Sequence, residues 1–105
     1  MNQKKYIHFF SNCQIVIGYT RSIILDLQRS DYWYLPNELA KIITQQSTFE
    51  LLDFRNLLSR FFDEQDITDF IDLFLNEELA FISEFDYSNG RLPHFSDSLK
   101  LLNLN

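Results

Sequence analysis

Ser22-Ile23-Ile24-Leu25-Asp26-Leu27-Gln28-Arg29-Ser30-Asp31-Tyr32-Trp33-Tyr34-Leu35-Pro36-Asn37 is the stretch that decides the fold. Successive side chains of a strand point to opposite faces. Ile23, Leu25 and Leu27 therefore share one face, and Ile24, Asp26 and Gln28 the other. Arg29-Ser30-Asp31 is a short polar turn, and Tyr32-Trp33-Tyr34-Leu35 resumes as an aromatic strand. The stretch reads as a β-hairpin with Trp33 and Leu35 on one face and Tyr32 and Tyr34 on the other. Pro36 ends it, because proline has no N–H to give a ladder. Between Tyr32 and Leu35 there is neither a charge nor a proline, the usual protection of an edge strand. Such an edge offers open backbone groups and amphipathic rings to an incoming peptide. It is left free if Tyr6–Phe10 or the β-branched Ile15–Ile17 pairs with the far side of the hairpin.

Downstream the period changes from two to helical. Asn37 is expected to cap a short helix, Glu38 to about Thr44, that buries Leu39, Ile42 and Ile43. Ser47-Thr48-Phe49-Glu50 has the form of a capping box and predicts a second helix, with Phe49, Leu52, Phe54, Leu57, Leu58 and Phe61 available for burial. Asp63 or Asp66 is expected to cap a third. In that helix Ile67, Phe70, Ile71 and Phe74 form one apolar stripe. Leu73 lies on the flank shared with Asp66, Asp69 and Glu77, and Leu75 on the opposite flank. Leu79–Phe85 returns to a strand-like pattern, and Asn89-Gly90 is a turn signal. The expectation is an α+β domain of winged-helix type over residues 1–88: an N-terminal three-stranded antiparallel sheet, three helices and a short strand. Residues 89–105 read as a C-terminal tail or linker.

Charge and composition narrow the function. The 105 residues suit one domain, and the net charge of -6 has the wrong sign for neutralising phosphates. Nine acids and no Lys or Arg lie between Phe61 and Gly90. That run reads either as a solvated helix face or as a surface that steers a basic partner. Cys13 is the only cysteine, so no disulfide forms within the chain and a reducing cytoplasm is expected. Met1–Lys5 is polar and unlike a signal peptide, and no apolar run reaches the roughly 18–20 residues that span a bilayer.

Catalytic and metal signatures are weak. His8 and His94 have no second ligand at zinc spacing. Asp63, Asp66, Asp69 and Asp72 spiral around a helix without a glycine-kinked calcium loop. The sequence has no phosphate-binding glycine loop or nucleophile elbow, and Cys13 has no neighbouring base.

Phe10-Ser11-Asn12-Cys13, Gly18, Arg21-Ser22, Asp26-Leu27-Gln28-Arg29 and Pro36-Asn37 resemble the start of the SPASM-type radical-SAM peptide maturases of grasp-with-spasm systems. That region of the family is similar to a PqqD-like recognition element for ribosomally made, modified peptides, and the resemblance spans about residues 6–85. It implies that the leader segment of a precursor peptide adds as a strand beside Tyr32–Leu35 and packs against the helix Asp66–Asn76. The peptide-binding residues would be Tyr32, Trp33, Tyr34, Leu35, Asp66, Asp69, Phe70 and Leu73. The acid-rich helix suggests a leader carrying Lys or Arg. The family's catalytic part needs a Cys-x3-Cys-x2-Cys triad, and one cysteine cannot hold an iron–sulfur cluster. The chain is therefore expected to be non-catalytic and to hold no cofactor. Iron–sulfur clusters and S-adenosylmethionine belong to a catalytic domain acting in cis or in trans. Neither nucleic acid nor membrane is expected as a partner. The alternatives are a winged-helix adaptor or escort for another protein and, more remotely, a DNA-binding regulator. The last would carry Asp66, Asp69 and Asp72 toward phosphates without compensating cations.

Overall fold

Tyr6–Phe9, the first strand (β1), lies in the middle of a sheet rather than at its edge. The computed structural model describes residues 4–85. Over these the order is β1, β2 (Cys13–Val16), β3 (Ser22–Asp26), β4 (Asp31–Leu35), α1 (Asn37–Ile43), β5 (Thr48–Glu50), α2 (Leu51–Leu58), α3 (Glu64–Asn76) and β6 (Ala80–Ser83). The strands form two three-stranded antiparallel sheets, one ordered β2-β3-β4 and the other β5-β1-β6. The α+β class and the three helices agree with the sequence. The sheet arrangement does not: six strands in two sheets replace one N-terminal sheet and a late strand.

The hairpin forms as expected, paired from Ser22↔Leu35 to Asp26↔Asp31. Its turn is Leu27–Ser30, beginning two residues and ending one residue earlier than the predicted Arg29–Asp31, with Ser30 at φ 58°. The more polar set of β3 faces inward: Ser22, Ile24 and Asp26 are buried. Each inward polar group has partners, as burial demands. Ser22 Oγ donates to Asn37 Oδ1 at 2.5 Å. Asp26 accepts from Asn12 Nδ2 and from the backbone N–H groups of Gln28 and Arg29 at 3.0–3.2 Å, and from Arg29 Nε at 2.5 Å.

Two capping expectations fail. Asn37 is the first residue of α1, not its cap, and its side chain is committed to Ser22 and to the carbonyls of Gly18 and Tyr19. The burial of Leu39, Ile42 and Ile43 holds. Ser47–Glu50 is no capping box: Thr48–Glu50 pairs with β1, and α2 starts at Leu51 with no side-chain cap. Of the residues offered for burial by the second helix, Phe49, Phe54 and Leu58 are in the core, whereas Leu52 and Phe61 are exposed. For α3 the reading holds. Asp63 Oδ1 accepts from Asp66 N at 2.9 Å, and Ile67, Ile71 and Phe74 are buried. At its end, Leu79 N donates to Phe74 O and Glu78 N to Leu75 O, a Schellman closure with Glu78 in the left-handed region at φ 58°.

The core gathers where the two sheets and three helices meet. Phe9, from β1, has its ring edge-on to those of Phe49, Phe54 and Phe74, at centroid distances of 6.4, 6.1 and 5.1 Å. Ile24, Leu35, Leu39 and Leu79 belong to the same cluster. Hydrophobic burial of this kind contributes roughly 1.5–3 kcal/mol per large side chain. The tail predicted from residue 89 onward lies outside the described residues.

Candidate functional site

Hydrogen-bond alternation fixes what β4 presents. Leu27 N donates to Asn12 O, so Asn12 and Leu27 form a bonded pair across β2 and β3. Bonded and non-bonded pairs alternate along an antiparallel ladder. The backbone groups of Ile23 and Leu25 therefore serve β2, and those of Ser22, Ile24 and Asp26 serve β4 through Leu35, Trp33 and Asp31. Tyr32 and Tyr34 are left with N–H and C=O directed away from β3. No strand pairs with that edge among the described residues.

The side chains of β4 divide as the sequence predicts. Leu35 is buried and Trp33 half-buried against the core, whereas Tyr32 and Tyr34 are each 52% exposed. Their rings meet edge-on at 5.6 Å. Hydrogen bonding to Tyr34 is the main cause that raises the Tyr32 phenol above its ordinary value. On this outer face the strands align in two rows, Gln14–Leu25–Tyr32 and Val16–Ile23–Tyr34. The Arg21 guanidinium lies 3.8 Å from the centre of the Tyr34 ring.

No family model, curated protein or solved structure matches this chain.

Arg21 is the residue that reading the sequence for a site missed. The available signal was parity: Arg21 shares the outward positions of Ile23 and Leu25, two and four residues on. The loop before β3 positions it. A Cβ on Gly18 would lie 2.2 Å from Arg21 O, so only glycine allows the chain to close there. Asn37 Nδ2 then holds the loop through Gly18 O and Tyr19 O at 3.2 and 3.3 Å.

The helical residues of the predicted site lie on α3. Asp66 and Asp69 are exposed, Asp69 accepting from Gln65 at 2.9 Å. The Phe70 ring is edge-on to Phe62 at 5.0 Å, and Leu73 is half-buried. Among the described residues no hydrogen bond, ion pair or ring contact joins Tyr32–Leu35 to these four. A hydrogen bond joins the hairpin turn to the C-terminal end of α3, where Arg29 Nη2 donates to Glu77 O. Phe70 packs against the same core cluster that holds Leu35 and against which Trp33 also packs.

A concavity of about 530 Å³ opens at the opposite edge of the same sheet, between β2 and the segment 43–47. None of the predicted site residues lines it. Cys13 does, but burial, reinforced by the nearby Asp26 charge, pushes its thiol up to about 12. His8 is buried with its ring nitrogens 3.1 Å from Thr48 Oγ1 and 2.8 Å from Ser83 Oγ. The described residues contain no group of three His, Cys, Asp or Glu able to hold a metal, and no helix long and apolar enough to cross a membrane. His94 lies outside them.

Proposed function

We propose that residues 1–88 form a winged-helix, PqqD-like domain that binds the leader segment of a ribosomally made precursor by strand addition to β4. The observation that carries this reading is the unprotected β4 edge, with the backbone groups of Tyr32 and Tyr34 directed outward. Main-chain hydrogen bonds supply affinity in strand addition, and the alternating side chains supply selectivity. In this reading the chain performs no chemistry. It holds the leader so that the core peptide stays at high effective concentration beside a radical-SAM/SPASM enzyme, fused or separate, in the cytoplasm. That enzyme carries the iron–sulfur clusters and S-adenosylmethionine. Trp33 and Leu35 face the inward positions of the leader. Asp66, Asp69, Phe70 and Leu73 of α3 are the helical neighbours of the leader in this reading.

The test is amide exchange with synthetic leader peptides of grasp-with-spasm precursors. Protection of Tyr32 and Tyr34 on binding supports the reading; protection confined to the helices overturns it. The outer face of the same sheet, with Val16 and Ile17 each 45% exposed and Tyr19 wholly exposed, favours the adaptor or escort function as a second reading. A stable complex with a folded protein partner, with no response to any leader, would establish that alternative. The exposed Asp66, Asp69 and Asp72 of α3 argue against a DNA-binding role.

A further inference from the structure

Arg21 and Arg29 are the cations of the β2-β3-β4 sheet and its turns. Arg29 is committed to Asp26 and to the carbonyl of Glu77. Arg21 has no carboxylate partner among the described residues, where the ion pairs are Lys4–Glu50, Arg29–Asp26 and Arg55–Glu64. The Tyr34 ring covers one side of its guanidinium and limits its freedom. A guanidinium stacked in this way keeps its in-plane N–H groups available, and their fork geometry matches a carboxylate.

An added strand continues the row Val16–Ile23–Tyr34 with one of its own outward side chains. From this we propose that the peptide bound at β4 carries an aspartate or glutamate at the outward position beside Tyr34, paired with Arg21. This inference rests on strand addition at β4 and adds a ligand class to it: an extended peptide, apolar at the inward positions that meet Trp33 and Leu35, and acidic at one outward position. It reverses the expectation of a basic peptide drawn from the acids of α3. Arg21 is in contact with the strand itself.

A displayed library of random dodecapeptides, selected in parallel on the native protein and on Arg21→Gln and Arg21→Lys, tests this. Selected peptides are then synthesised, and amide exchange at Tyr32 and Tyr34 is measured with each. The native protein is expected to enrich alternating apolar peptides with one Asp or Glu on the opposite parity. Changing that acid to its amide should weaken binding about two- to fivefold, the range of an exposed ion pair. On Arg21→Gln the apolar alternation should persist and the acid preference vanish, with Arg21→Lys in between. Peptides that protect Tyr32 and Tyr34 without an acid preference, or with one that survives Arg21→Gln, overturn this inference alone. If no selected peptide protects those amides, strand addition falls, and this inference with it.

Discussion

Arg29 donates from Nη2 to the main-chain oxygen of Glu77, 48 residues further along, and so fastens the β3–β4 turn to the last turn of α3. A cation at a helix C-terminus meets carbonyls that have no partner within the helix, and it favours the dipole there. The same guanidinium donates to Asp26, whose carboxylate also takes up Asn12 and two backbone N–H groups. One buried acid thus sets the geometry of both the hairpin turn and the end of α3.

Burial alone would raise the Asp26 carboxyl. The hydrogen bonds from Arg29, Gln28 and Asn12 outweigh it and hold the group below its ordinary value. A lowered folded-state pKa gives stability that is present above the unfolded value, about 3.9, and is lost as pH falls through the folded one. Urea midpoints should therefore drop below about pH 4 in the native protein. Asp26→Ala should cost about 1–3 kcal/mol at pH 7 by leaving buried donors unpaired, and should flatten the acid limb. A parallel acid limb in the variant would show that other carboxylates govern it.

Glu78 sits in the left-handed region, where an L side chain costs roughly 1–2 kcal/mol and glycine does not. Allowing for the greater entropy of glycine in the unfolded chain, Glu78→Gly should stabilise the protein by about 0.5–1 kcal/mol. Thermal denaturation reads this directly, and a lower Tm would show that the Glu78 side chain makes a stabilising contact.

Two adjacent hydroxyls should behave in opposite ways. Ser47 is exposed and contributes its main-chain oxygen, which accepts from Phe9 N, so Ser47→Ala should stay within about 0.5 kcal/mol. Thr48 is buried with Oγ1 on His8 Nδ1, so Thr48→Val should cost about 1–3 kcal/mol. A large loss at Ser47 would restore the capping box that Thr48–Glu50 displaces.

Cys13 donates from Sγ to Leu79 O at 3.6 Å. With its thiol pushed up to about 12, the thiolate fraction at pH 8 is about one in ten thousand, against roughly a quarter for a free thiol. Alkylation in native buffer should be at least about a hundredfold slower than in urea. Equal rates would place the sulfur in solvent.

The hairpin and α3 were legible because each has a strong local pattern. Alternation bounded by Pro36 defines the first, and a 3.6-residue stripe behind Asp63 defines the second. Thr48–Glu50 was not legible. Three residues are too few to show a period, and Ser47 and Glu50 stand by coincidence at capping-box spacing. The place of β1 was hidden for a different reason: alternation marks a strand but does not name its neighbours, which here come from residues 48–50 and 80–83. At the candidate site, the outward aromatic pair could be read from parity. Arg21 shares the outward parity of Ile23 and Leu25, but its place against the Tyr34 ring depends on a loop closed by Gly18 and Asn37.

The middle place of β1 also shapes how the protein is made. Residues 6–9 are synthesised before both of their neighbours: one strand follows about forty residues later and the other more than seventy. Contacts so far apart in sequence slow folding, because the chain between them must be ordered before the pairing is gained. The β1 side chains Ile7 and Phe9 reach full burial only once β6 has been synthesised, and until then a nascent chain is open to aggregation. Synonymous changes that slow translation after the hairpin should therefore lower the soluble yield without altering a single residue of the product.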